Sequence, residues 1–90
     1  MIARQVFFEG RVQGVGFRYS VRQIATGFDV TGFVRNLPDG RVELAASGTS
    51  EEVTAFLQAI RDSDLGSFIR NETIHEIPPP THQRGFEIIA

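Results

Sequence analysis

No cysteine occurs in the 90 residues, which excludes a disulfide, a thiolate nucleophile and a Cys-ligated metal. The redox compartment stays open on that account. Lysine is absent too. All nine basic residues are Arg, a bias that coding composition explains and that carries no functional weight. Tryptophan is missing and tyrosine occurs once, so the aromatic content rests on eight Phe. No apolar run approaches membrane-spanning length, and Met1-Ile2-Ala3-Arg4 lacks the apolar stretch of a signal peptide. A soluble, cytoplasmic protein with no membrane partner is expected. The two histidines, His75 and His82, have a spacing that suits no familiar metal set, so surface or packing roles are expected and no metal site.

What is present suits one domain over residues 1–90. A chain this short buries only about two thirds of its unfolded surface, and a hydrophobic share of 41% supplies one modest core. The formal charge of −2 is unevenly spread. Residues 1–45 carry six Arg against four acids, a net of +2, and residues 46–90 carry three Arg against seven acids, a net of −4. Such a balance favours a small anion near the first half over a long nucleic-acid track. No nucleic-acid partner is expected, and a monomer is the default at this size.

Ile2 to Phe8, rich in β-branched and aromatic residues, predicts a strand. Phe17, Val21, Ile24, Ala25 and Phe28 follow at helical spacing, a stripe that fades near Gly27. Val30 to Asn36 alternates as a second strand, with Val30, Gly32 and Val34 on one face. Leu37-Pro38-Asp39-Gly40 is turn chemistry and closes a hairpin. Beyond it Val42, Leu44 and Ala46 alternate with Arg41, Glu43 and Ala45, predicting a third strand with one face in the core. Thr49 and Glu52 have capping-box spacing at the head of a second helix, whose stripe is Val53, Phe56, Leu57 and Ile60. Asp62 to Gly66 ends that helix. Phe68 to Ile77 reads as a strand, Pro78-Pro79-Pro80 breaks it, Thr81 to Arg84 is a polar loop, and Gly85 to Ile89 is a last short strand. The order β-α-β-β-α-β, with one extra strand, predicts an α+β ferredoxin-like two-layer sandwich. Its sheet is mixed and antiparallel-rich, with two helices on one face. That plan alone says little about function.

The stretch Glu9-Gly10-Arg11-Val12-Gln13-Gly14-Val15-Gly16-Phe17-Arg18 joins the first strand to the first helix. Its glycines let the backbone take positive φ. Such a curl turns successive N–H groups inward as an anion nest, and the helix start adds its dipole and unpaired donors. Arg11 and Arg18 bracket the loop with guanidinium forks that match phosphate oxygens. No Gly-Lys-Ser/Thr follows, so this is not a Walker A loop, and Tyr19 stands where a dinucleotide fingerprint needs a small residue. A phosphate cradle and a plain glycine-rich connection both fit. If the first helix returns the second strand parallel to the first, Asn36 comes to the mouth of this loop. Its amide can hold a water by donor and acceptor together, or bond the nearby turn.

Gly10-Arg11-Val12-Gln13-Gly14-Val15-Gly16-Phe17-Arg18 and Gly32-Phe33-Val34-Arg35-Asn36-Leu37-Pro38-Asp39-Gly40-Arg41-Val42-Glu43 together resemble the two signatures of the acylphosphatase family. Element order and the closing Phe86-Glu87-Ile88 extend the likeness over nearly the whole chain. The resemblance implies hydrolysis of acyl phosphates to a carboxylate and inorganic phosphate, with no metal and no cofactor. It puts the phosphate-binding Arg on Arg18 and the water-orienting Asn on Asn36. The cradle amides fall on Arg11, Val12, Gln13, Gly14, Val15 and Gly16.

The chemistry needs little else. The leaving carboxylate has a pKa near about 4 and departs without a general acid. Positioning and stabilisation of charge on the phosphoryl oxygens then suffice for in-line attack by water. Phe33 stands where the family commonly has Trp, Phe28-Asp29-Val30 replaces a more apolar connection, and Ser63 to Asn71 matches loosely. These departures bear on substrate preference, not on Arg18 or Asn36. Arg22, one turn beyond Arg18, reads as a solvated helix residue. Two other functions share these features. One is a non-catalytic domain that binds phosphate or carbamoyl phosphate within a larger hydrogenase-maturation protein, although such a chain would add Cys-rich zinc segments. The other is single-stranded RNA binding, for which the third strand offers no stacking aromatic.

Overall fold

In the computed structural model, which describes residues 1–81 and 84–90, the strands are β1 (Ile2–Gly10), β2 (Val30–Asn36), β3 (Val42–Gly48), β4 (Ile69–Ile77) and β5 (Phe86–Ile88). The helices are α1 (Phe17–Ala25) and α2 (Ser50–Asp62), and a 3-10 segment, Asp64–Phe68, joins α2 to β4. One sheet contains all five strands in the order β4-β1-β3-β2-β5. β3 runs antiparallel to both β1 and β2, and β4 antiparallel to β1. β5 lies parallel to β2 at the outer edge. This is the expected ferredoxin-like plan, with the short fifth strand added outside β2.

The helices form because each carries one apolar stripe. Phe17, Val21 and Ala25 of α1 and Val53, Phe56, Leu57 and Ile60 of α2 are buried against Val6, Phe8, Val34, Val42 and Leu44 of the sheet. Each large side chain taken fully out of water contributes about 1.5–3 kcal/mol. Phe28, expected at the end of the first helical stripe, lies past the end of α1. Its ring still reaches Phe56, at 5.9 Å. Thr49 caps α2, its Oγ1 accepting the Glu52 N–H at 3.2 Å. Glu52 does not return the bond. Its carboxylate instead accepts the Asp29 N–H at 2.7 Å, so the second half of the capping box becomes a tie to the entrance of β2.

β3 departs from expectation. One face was expected in the core, yet every residue from Val42 to Gly48 is buried. The reason is its central place in the sheet. Val42, Leu44 and Ala46 face the helices, while on the other face Glu43 is only 5% exposed. There Glu43 accepts from Gln5 Nε2 of β1 at 2.7 Å and from Arg35 Nε of β2. Long side chains of the neighbouring strands cover this helix-free face. The Arg41 guanidinium sits 4.5 Å over the Phe7 ring, and that ring meets His75 edge-on at 5.9 Å.

Candidate active site

The site begins where β1 fails to continue. Its register with β4 shifts at Glu9/Gly10, where Gly10 adopts φ 132°. A Cβ on Gly10 would lie 2.3 Å from the Phe68 carbonyl oxygen, so only glycine permits this approach. The next amide, Arg11 N–H, donates to that same oxygen at 2.9 Å. The chain then dips into the core at Val12, which is fully buried, and again at Phe17, whose ring lies 5.3 Å from Phe8. These anchors pin both ends of a short loop.

Between the anchors the backbone curls outward. Gly14 and Gly16 have φ of 79° and 75°, and a Cβ on either would meet nothing within 4 Å. They are needed for their dihedrals, not for space. Gly16 is also the N-cap of α1, with no side chain capping the first turn. Among the described residues, no backbone N–H from Val12 to Gly16 donates to a backbone acceptor. A run of open donors thus leads into the positive end of a helix.

These donors border a cleft of about 180 Å3 lined by Val12, Gly14, Gly16, Phe17, Arg18 and Asn36, with Tyr19 and Ile88 at its side. Arg18, in the first turn of α1, is half-buried and has no carboxylate within ion-pair reach among the described residues. Asn36, the last residue of β2, holds a buried Oδ1 without a hydrogen-bond partner among the described residues. A buried acceptor of that kind normally has a partner, and a turn of the Asn36 amide toward the cleft would bring it to a water or ligand there. Among the described residues, no carboxylate, imidazole, Ser or Thr lines the cleft. The arrangement can bind a compact anion and orient a water, and its described residues include no acidic or His base.

Other expected cradle residues are placed differently. The Arg11 amide is engaged by Phe68, and its exposed side chain lines a separate depression with Arg70 and Asn71. The Gln13 side chain reaches across to the β2–β3 hairpin, its Nε2 donating to Leu37 O at 2.8 Å and Arg41 O at 2.9 Å. Val15 is exposed on the outer curve of the loop. Arg22 is exposed and lies outside the cleft lining. His75 is exposed against Phe7, and His82 lies outside the described residues.

Two lining residues escaped the sequence reading. Tyr19, noted there only as a misfit to a dinucleotide fingerprint, is 60% exposed and accepts a hydrogen bond from Gln23 at 3.0 Å. Its place directly after Arg18 was the available signal. Ile88 comes near only because β5 adds to β2 beside Val34, and a three-residue strand gives no warning of its partner. In the hairpin, Asp39 accepts the Arg41 backbone N–H at 3.0 Å and its Nε at 2.8 Å. Those bonds, the backbone one foremost, hold the Asp39 carboxyl below its ordinary value. Among the described residues no group of three or more His, Cys, Asp or Glu is placed to hold a metal ion. No helix among them is long and apolar enough to cross a membrane.

The family model for acylphosphatase matches residues 4–88. An acylphosphatase from Nostoc sp. is 40% identical over 88 residues, covering 98% of this chain and 86% of that one. One from Bacillus pumilus is 38% identical over 88 residues, covering 98% of both. The crystal structure of acylphosphatase from Bacillus subtilis superposes with a TM-score of 0.90 at 32% identity, covering both chains completely. HypF from T. kodakarensis contains a similar unit, with a TM-score of 0.86 at 33% identity, which accounts for 12% of that chain. With the two signature stretches meeting at one cleft and relatives matched along nearly their full length, this chain belongs to the acylphosphatase family, hydrolases of acyl phosphates.

Proposed function

We propose that this protein hydrolyses acyl phosphates by direct in-line attack of water on phosphorus. The phosphoryl group sits against the open amides of residues 12–16 and the first turn of α1, and Arg18 forks onto two of its oxygens. Asn36 holds the attacking water, its Oδ1 accepting a water proton while its Nδ2 steers a phosphoryl oxygen or the water itself. The carboxylate leaves unprotonated, so no general acid is called for. The observation that carries this reading is that one cleft is lined by Asn36, whose buried Oδ1 has no partner among the described residues, and by Arg18, which has no ion pair among them. We read the working unit as a monomer, the default for a domain of this size.

A purely binding role within a larger protein has less support, because the acylphosphatases from Nostoc sp. and Bacillus pumilus match this chain along 86% and 98% of their own length. The test is hydrolysis of an aromatic acyl phosphate with chelator present, comparing wild type with folded Arg18→Ala and Asn36→Ala. Turnover that ignores chelator and falls on the order of 10^2–10^3-fold in each variant supports the mechanism. Turnover kept by Asn36→Ala sinks the water assignment, and a folded wild type without turnover leaves the binding role.

A further inference from the structure

The geometry points to Gln13 as a positioning residue: its side chain sets the placement of the phosphate loop relative to Asn36, and so the line along which water meets phosphorus. This inference rests on the acyl phosphate reading above. Gln13 contributes a backbone amide to the loop, but its side chain faces away from the cleft. Both hydrogens of its Nε2 are spent across the sheet end, on Leu37 O at 2.8 Å and on Arg41 O at 2.9 Å. Leu37 is bonded covalently to Asn36, so the amide clamps the peptide next to the water-holding residue.

Neither partner needs the clamp to form. The hairpin is already closed by Leu37 N–H to Arg41 O at 2.8 Å, by Gly40 N–H to Leu37 O at 3.1 Å and by Asp39 on Arg41. The loop is already tied down by buried Val12 and Phe17. What these contacts leave unset is the relation of one piece to the other. In-line displacement is sensitive to that relation, since a shift of about 1 Å in a reacting group can cost about 10^2-fold in rate. A single amide with two donors 24 and 28 residues from its acceptors meets the need.

The experiment compares wild type, Gln13→Met, Asn36→Ala and the double variant for kcat on an aromatic acyl phosphate, and for competitive inhibition by inorganic phosphate. Met keeps the length of Gln and removes both donors. We expect Gln13→Met to lower kcat by about 10–100-fold while the inhibition constant for phosphate stays within about threefold. In the Asn36→Ala background the same change is expected to lower kcat by less than about threefold, because the two residues act on one event. An equal loss in both backgrounds overturns the inference, as does a phosphate inhibition constant that rises in step with the loss of kcat. A folded Gln13→Met with wild-type kcat overturns it too. Should the Met variant fail to fold, Gln13→Asn, which keeps the amide but shortens its reach, is read by the same criteria. Failure of wild-type turnover or of the Asn36→Ala effect would instead overturn the underlying reading.

Discussion

Asn36 and Phe8 lie in one row across the sheet, each paired with Val42 of the strand between them. β1 and β2 therefore point the same way, and β1 runs on to Gly10 past the row in which β2 ends. The loop that leaves β1 and the amide that ends β2 are thereby brought to the same end of the sheet.

That meeting leaves a cost in stability at Asn36. Its buried Oδ1 lacks a protein partner among the described residues, and an unsatisfied buried acceptor costs about 1–3 kcal/mol. Asn36→Ala removes the acceptor along with the water site. Urea unfolding should find this variant equal to wild type or more stable by up to about 1 kcal/mol, even as turnover is lost. A loss above about 1 kcal/mol would instead make Asn36 a support of the hairpin.

Gly16 carries a φ of 75° in open space. Alanine there brings no clash, only the left-handed backbone penalty of about 1–2 kcal/mol. Gly16→Ala should therefore unfold at lower urea, and relaxation of the strained residue should turn amides away from the cleft. Inorganic phosphate should inhibit the variant at least about threefold more weakly. Unchanged inhibition would mean that the loop keeps its curl without glycine.

Glu43 separates fold from chemistry. Its carboxylate lies on the helix-free face, held by Gln5 and by Arg35, whose side chain is 41% exposed. Because Arg35 can rehydrate, Glu43→Leu should cost about 1–2 kcal/mol, well below the loss of a fully buried pair. The folded variant should keep kcat within about twofold of wild type. A larger fall would tie the far face of the sheet to the cleft.

Asp39 gives a pH signature. Its carboxyl is held below the ordinary 3.8 by the Arg41 backbone N–H first and the Arg41 side chain second. A lowered value means that its contribution is complete above the unfolded-state value and fades as pH falls through the folded one. An NMR titration should find Asp39 protonating below 3.8, and Asp39→Asn should remove that step.

Local chemistry was the legible part. Pro38-Asp39-Gly40 between two alternating runs specified the hairpin, Thr49 specified a cap, and Gly14 and Gly16 specified a curl, because each acts through its own backbone. The elements of the site were legible for the same reason. What stayed hidden depended on partners far along the chain. β3 is buried on both faces only because β1 and β2 flank it, and Glu43 becomes an interior residue only once Gln5 and Arg35 arrive. The Arg11 amide looked free until β4 brought Phe68 alongside. Gln13 looked like one more loop residue, since nothing near it in sequence reveals Leu37 and Arg41 as acceptors.

The bond from Arg11 to Phe68 reaches beyond local geometry. Every residue proposed to touch phosphate or water lies within the first 36 positions, yet β1, which launches the loop, is flanked on one side by β4. A nascent chain that has emerged only as far as β3 would already carry all the chemistry without its second flank. Closing a contact of that sequence separation comes late in the search through conformations. Catalytic competence is thereby tied to near-completion of the fold, and a half-made chain would have no working cleft to expose.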